Sequence, residues 1–304
     1  MRYIKFTILA AVLLAAASCK SQYELLLTSN DVDAKYEAAF KYFDEGKYNK
    51  AANLFESLSV LTGGTEKDDT VQYYWGLSNY NFKDYYTAET NFDKFTTNYP
   101  RSPFTENARY LRLDCLYRQT LRYELDQAPT NKCLSAISEY LTDYPVNDHL
   151  DDCSAMIDEL NERLDTKAYE AAKLYYKMED YLAARVALRN VLKDDADNIY
   201  REDILFYTAK ASYKYAQLSV PQKQRERYLV FIDDYFNFKG ELPDSKYVKE
   251  LDYLYDKTQK ALGKRSESYD REVKEKAYEK ERKAMERALA KEKKAAAKAE
   301  KKKK

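Results

Sequence analysis

A helix-hairpin pattern that recurs along the chain, first after 37 residues, restricts this fold more than any other feature of the chain. Tyr36, Ala39, Phe40 and Phe43 fall at i, i+3, i+4 and i+7, and after Gly46 the residues Ala51, Leu54, Phe55 and Leu58 repeat that spacing. Each set lines one face of a helix. Two such helices joined around a glycine form a hairpin. Shifting the first unit by 37 residues carries Ala39 onto Gly76, Tyr48 onto Tyr85, Ala51 onto Ala88, Phe55 onto Phe92, Leu58 onto Phe95 and Gly63 onto Pro100. The small residue on each helix lets the backbones approach. The large residues fill the groove to the next hairpin, and proline stops the second helix.

Three further units follow. The third carries Cys133, Ile137, Tyr140 and Pro145, with a first helix over about 106–122 and a longer connection containing Asp126, Gln127 and Pro129. The fourth carries Ala172, Tyr175, Tyr181, Ala184, Leu188 and Val191, with Ala196 in place of proline. The fifth spans about 201–237 and leads past Pro243 into a closing helix over about 246–262. The pattern resembles the tetratricopeptide repeat. The expected fold is all-α: a superhelical stack of five such hairpins, each burying its apolar face on its neighbours, plus a charged C-terminal helix.

Several chemistries are excluded at this level. One histidine, His149, builds neither a histidine metal site nor a nucleophile–histidine relay. Six scattered glycines leave no phosphate-cradling loop, and Gly63-Gly64 reads as a turn. The paired carboxylates Asp68-Asp69 and Asp151-Asp152 are adjacent in sequence, beside turns, without a sign of a pocket. No enzymatic activity, metal or soluble cofactor is expected.

Residues 1–18 read as an export signal. Arg2 and Lys5 precede an apolar run from Phe6 to Ala17, too short to span a bilayer. The run ends in Ala15-Ala16-Ala17-Ser18-Cys19, which resembles the bacterial lipobox, although Ala16 stands where that motif prefers leucine. The resemblance implies cleavage before Cys19 and acylation of Cys19, the covalent lipid being the only group attached. More than one acyl chain anchors a protein stably. Lys20 as the second mature residue favours the outer membrane by resemblance to bacterial sorting rules. Residues 19–32 then form a lipid-anchored tether, 33–263 the repeat domain and 264–304 a tail. Cys115, Cys133 and Cys153 are an odd set in an oxidising compartment and read as buried free thiols.

The segment from Gly263 onward holds 17 basic and 9 acidic residues, while the total charge of the chain is zero. A basic tail therefore follows an acidic body. Pairs such as Glu272–Lys276 and Glu279–Lys283 favour an exposed helix. The tail reads either as a solvated helix or as a contact for anionic headgroups or an acidic partner face. Nucleic acid is not an expected partner of an exported chain.

More specific stretches stand in the later units: Leu125-Asp126-Gln127-Ala128-Pro129-Thr130 with Ile137 and Tyr144-Pro145; Ala171-Ala172-Lys173-Leu174-Tyr175-Tyr176-Lys177 with Tyr181 and Ala183-Ala184; Lys223-Gln224-Arg225-Glu226-Arg227-Tyr228; and Pro243-Asp244-Ser245-Lys246-Tyr247. Together they resemble the BamD family over about residues 19–262. Ala196, Cys133 and the tail depart from the family pattern. The resemblance implies a non-catalytic lipoprotein on the periplasmic face of the outer membrane, within the β-barrel assembly machinery. It implies binding of a BamA-type barrel subunit, mainly through the C-terminal repeats, and of unfolded outer-membrane proteins through the N-terminal ones. The competing expectation is a helical-repeat envelope lipoprotein that captures glycan, peptidoglycan or a nutrient for an outer-membrane transporter. Such proteins usually carry larger insertions than the one near 123–130.

Two sets of residues are candidates for these contacts. Lys210, Lys214, Arg225 and Arg227 on the fifth unit suit charge-assisted pairing with a partner carboxylate. Tyr73, Tyr74, Tyr80 and Tyr86 on the second unit suit a groove for an extended client, with Tyr85 at a core position. Against these stand the ordinary readings, a solvated charged face and tyrosines that fill space between helices.

Overall fold

The computed structural model describes the backbone of residues 22–301, and side chains over 22–263, 275–276 and 278–286. The export signal 1–18 and Cys19 lie outside the described residues. Twelve helices account for the described fold: α1 (Gln22–Thr28), α2 (Val32–Asp44), α3 (Tyr48–Leu61), α4 (Asp68–Asn81), α5 (Tyr85–Asn98), α6 (Thr105–Arg118), α7 (Ala128–Asp143), α8 (Leu150–Lys177), α9 (Tyr181–Asp194), α10 (Arg201–Gln217), α11 (Pro221–Glu241) and α12 (Val248–Lys301). The five expected hairpins are α2/α3, α4/α5, α6/α7, α8/α9 and α10/α11. None of the described helices is long and apolar enough to cross a membrane.

Hairpin geometry follows from a short turn used three times. Gly46, Lys83 and Glu179 occupy the same turn position, with φ of 71°, 69° and 63°. The next hairpin helices begin at Tyr48, Tyr85 and Tyr181. Asp84 and Asp180 follow the turn residue and cap α5 and α9, each accepting from the backbone N–H three residues on at 3.1 Å. Glycine adopts this left-handed conformation freely, whereas lysine and glutamate pay for their Cβ. Lys83→Gly is expected to stabilise the chain by about 0.5–1 kcal/mol, the relief of strain exceeding the entropy glycine adds to the unfolded state. Chemical denaturation checks this, and a lower midpoint contradicts it.

Repeat positions named from spacing form the interior. Ala39, Ala51, Phe55 and Leu58 in the first hairpin, Ala88, Phe92 and Phe95 in the second, and Ala184 and Leu188 in the fourth are buried. Cys133, Ile137 and Tyr140 of α7 pack with Cys153, Met156 and Leu160 of α8. All three cysteines are free and buried. Burial pushes the thiols of Cys115 and Cys133 up to about 12, so they stay protonated and unreactive.

Four features depart from the sequence reading. First, the tether expected over 19–32 contains α1, whose Tyr23, Leu26 and Leu27 pack on the first hairpin. Second, the repeat region divides into two compact units, 1–164 and 165–304. The division falls inside α8, which runs for 28 residues. Its first half joins the core of the third hairpin, its second half joins Leu188 and Ile204 through Tyr169 and Ala172, and no residue from 161 to 168 is buried. Third, α6 stops at Arg118, four residues short of the expected end. The Gln127 side chain closes the connection after it, donating to the carbonyls of Arg122 and Leu125 at 2.9 and 3.0 Å and accepting from Thr130. Fourth, the closing helix and the charged tail are one helix, α12, continuous through Gly263. Its Lys283–Glu279 pair at 3.0 Å matches the expected helical spacing.

Candidate partner surfaces

In the compact unit 165–304 the four cations singled out from sequence do not form one surface. Lys210 on α10 pairs with Glu250 on α12 at 3.0 Å, and its ammonium lies 5.0 Å from the Phe206 ring centroid. Burial alone would lower its pKa, but the bond to Glu250 and the neighbouring Tyr176 and Tyr207 hydroxyls carry it above the ordinary lysine value. Lys210 also borders a cleft of about 340 Å³ with Lys173, Tyr176, Lys177 and Tyr207. Those lysines are themselves engaged, Lys173 and Lys177 both pairing with Glu170 at 3.3 and 3.0 Å. Arg227 stacks on Tyr215 at 3.9 Å and donates to Ser219, so it braces the α10–α11 turn. Lys214 is half-buried, and Arg225 is exposed. Lys210 and Arg227 thus serve this chain's own packing first.

A wider groove of about 610 Å³ lies between α9, α10 and α11. Arg185 grips Asp234 with two bonds, at 2.6 and 3.0 Å, and Ser212 donates to the same carboxylate. Arg201 is likewise held by Glu241 and donates to the Ala196 carbonyl at 2.7 Å. Arg189 and Lys193 stand exposed on the α9 wall, and Arg189 reaches Asp234 only at 3.8 Å. One wall therefore presents cations to solvent. Exposed Asp233 stands on the α11 wall. The groove fits a polar partner segment that offers a carboxylate to α9. Arg185, Arg189 and Lys193 follow one another at four-residue spacing, a one-face signal that was readable in the sequence.

In the compact unit 1–164 most of the tyrosines singled out from sequence turn into the chain's own packing. Tyr73 is only 4% exposed, stacks on Phe104 at 4.5 Å and accepts a 2.6 Å bond from Asn107, so it is core. Tyr74 packs among Phe40, Phe43 and Phe104, joining the second hairpin to the first. Tyr80 donates to Asp114 at 2.6 Å; burial, reinforced by that carboxylate, pushes its phenol up to about 12. Tyr85 packs into the same core as expected. Of the set, Tyr86 alone is fully open to solvent, at 74% exposure. The acids Asp68 and Asp69 serve local structure, accepting from Gly64 and Ser102 at 2.9 Å each. Among the described residues no group of three or more metal-ligating side chains converges.

Comparison with known proteins places the chain in a family. Residues 28–229 match the family model YfiO, described as outer membrane lipoprotein. The outer membrane protein assembly factor BamD of Caulobacter vibrioides is 26% identical over 208 residues, covering 67% of this chain and 68% of that protein. Among solved structures, the TPR2AB-domain:pHSP90 complex of yeast Sti1 is similar at a TM-score of 0.36 and 15% identity, over 75% of this chain and 98% of the other. The family model spans well over half of the residues, and so this chain belongs to the YfiO family of outer membrane lipoproteins.

Proposed function

We propose that this chain is a lipoprotein subunit of the machinery that assembles β-barrel proteins in the outer membrane. It is acylated at Cys19, faces the periplasm, and acts as a non-catalytic scaffold between a BamA-type barrel subunit and unfolded outer-membrane proteins. The observation that carries this reading is the family match over 28–229, together with a relative named as an outer membrane protein assembly factor. The α9–α11 groove supports it as the place where the barrel subunit docks. Its exposed cations Arg189 and Lys193 meet acidic residues of a partner loop, whereas Lys210 and Arg227 are already committed within the chain.

The test is charge reversal at that wall. The double variant Arg189→Glu, Lys193→Glu is expected to retain its unfolding midpoint, since both side chains are exposed. Capture of the barrel subunit from gently solubilised outer membranes should fall by at least about tenfold, since like charges set against each other across an interface oppose binding. Undiminished capture by a folded variant places the barrel subunit elsewhere on the chain.

A further inference from the structure

The N-terminal helix is pinned rather than loosely tethered. Lys35, almost wholly buried, donates to the Leu27 carbonyl at the end of α1 at 3.1 Å and to Ser57 on α3 at 2.6 Å. At the other end of α1, Tyr23 packs edge-on against Tyr42 at 5.7 Å and accepts from Asn53 at 3.1 Å. Helix α1 therefore runs antiparallel to α2, and its first residues sit at the turn of the first hairpin. Cys19 precedes Gln22 by three residues, a span of at most about 11 Å even when fully extended. A bilayer that receives acyl chains from Cys19 must lie beside that turn.

The turns of the first three hairpins share one edge. Lys67, just before α4, bonds to Asp33 at the start of α2 at 2.7 Å, so these two helices are parallel. Tyr80, near the end of α4, bonds to Asp114 near the end of α6, so α6 is parallel as well. Gln119 at the end of α6 donates to the Tyr85 carbonyl at 3.2 Å, fastening the third connection to the second turn. Along this edge Phe82 is 51% exposed, Tyr86 74%, Leu121 40% and Leu125 44%. Lys47, Lys50, Lys83 and Arg122 are exposed among them, with the Lys50 ammonium 5.2 Å from the Tyr23 ring centroid and 5.4 Å from that of Tyr42. Large apolar side chains interleaved with tyrosine and lysine match the composition of protein surfaces at the headgroup layer, where rings enter the interface and ammonium groups reach back to water.

We propose that the turn edge of hairpins one to three is a membrane-contact surface resting on phospholipid headgroups, with Phe82, Tyr86, Leu121 and Leu125 entering the interface. Acylation of Cys19 supplies the affinity, and the edge supplies the orientation. The inference rests on the lipoprotein reading of Cys19. Glu45 neutralises Lys47 at 2.7 Å and Glu124 approaches Arg122 at 3.7 Å, so the edge carries little net charge and suits a largely zwitterionic surface. In this arrangement Tyr86 meets lipid rather than an extended client.

Hydrogen exchange of the full mature lipidated chain, on phosphatidylethanolamine–phosphatidylglycerol vesicles and free as a Cys19→Ser variant, tests the proposal. Amides in 42–50, 82–87 and 119–127 should exchange about threefold or more slowly on vesicles, while the 62–67 loop at the other end of the first hairpin is unchanged. The doubly substituted Phe82→Glu, Tyr86→Glu chain should still float with vesicles and lose the protection at 82–87. Flotation with no protection at the three turns overturns the edge proposal and leaves the anchor intact. Failure to float overturns the Cys19 reading and the edge proposal with it. Protection of 82–87 by an unfolded barrel segment, with none from vesicles, assigns the edge to clients instead.

Discussion

Replacing Gly76 by leucine is expected to cost about 3 kcal/mol or more and to unravel the second hairpin well before the others. A Cβ built at Gly76 would stand 2.8 Å from Cε1 and 3.0 Å from Cδ1 of Phe92. The Phe92 ring cannot swing away, because it is fully buried among Tyr73, Ala88 and Phe95. Alanine at 76 already forces the ring to shift, and leucine adds three further carbons to the same space. The cost is one of volume, so shrinking the ring should recover much of it. Gly76→Leu with Phe92→Ala is expected to regain at least half of the lost stability, a coupling that a double-mutant cycle in urea reads directly. A Gly76→Leu chain within about 0.5 kcal/mol of the original would mean that the two helices of this hairpin do not approach as described.

Removing the Asp234 carboxylate should weaken the second unit almost as much. Asp234→Ala leaves the Arg185 guanidinium, itself largely enclosed, without the two bonds that hold it, while Ser212 keeps only its bond to the Thr208 carbonyl. Breaking one side of a desolvated ion pair costs about 3–5 kcal/mol, and the partial exposure of Arg185 puts this case near the lower figure. Replacing both partners, as Arg185→Met with Asp234→Leu, should be far milder, since no charge is then stranded. An unfolding midpoint registers a change in stability but does not say which of the two compact units has weakened, so amide exchange is the readout here. Amide exchange over 201–217 should accelerate while exchange over 68–98 does not. Equal acceleration in both segments would contradict a local role for this pair.

The hairpins were legible because their determinants are local. Ala51, Phe55 and Leu58 declare a helix face by spacing alone, and that face is buried. The docking of α1 was not legible, because it depends on a buried lysine, and Lys35 reads as a surface residue until the Leu27 carbonyl and Ser57 are placed beside it. Tyr73 and Tyr74 are adjacent and point about 100° apart on a helix, so a groove reading needs at least one of them outside. Both turn inward, Tyr73 to Phe104 and Tyr74 to the first hairpin. The basic set does not share one surface, for a related reason. The partner of Lys210 is Glu250, on a helix that follows the whole fifth hairpin, and only assembly of the unit shows that this cation is spent. Arg185, Arg189 and Lys193 carried the clearer signal through their regular spacing, and they outline the larger groove.

The most direct test of the central claim is controlled depletion of this protein, with folded and unfolded outer-membrane β-barrel proteins quantified by their different gel mobilities before and after heating. A role in barrel assembly predicts that folded barrels fall and unfolded precursors gather in the periplasm before growth slows. Barrel proteins that fold at normal levels while uptake of a glycan or nutrient declines would contradict that role and make this chain a capture lipoprotein for a transporter.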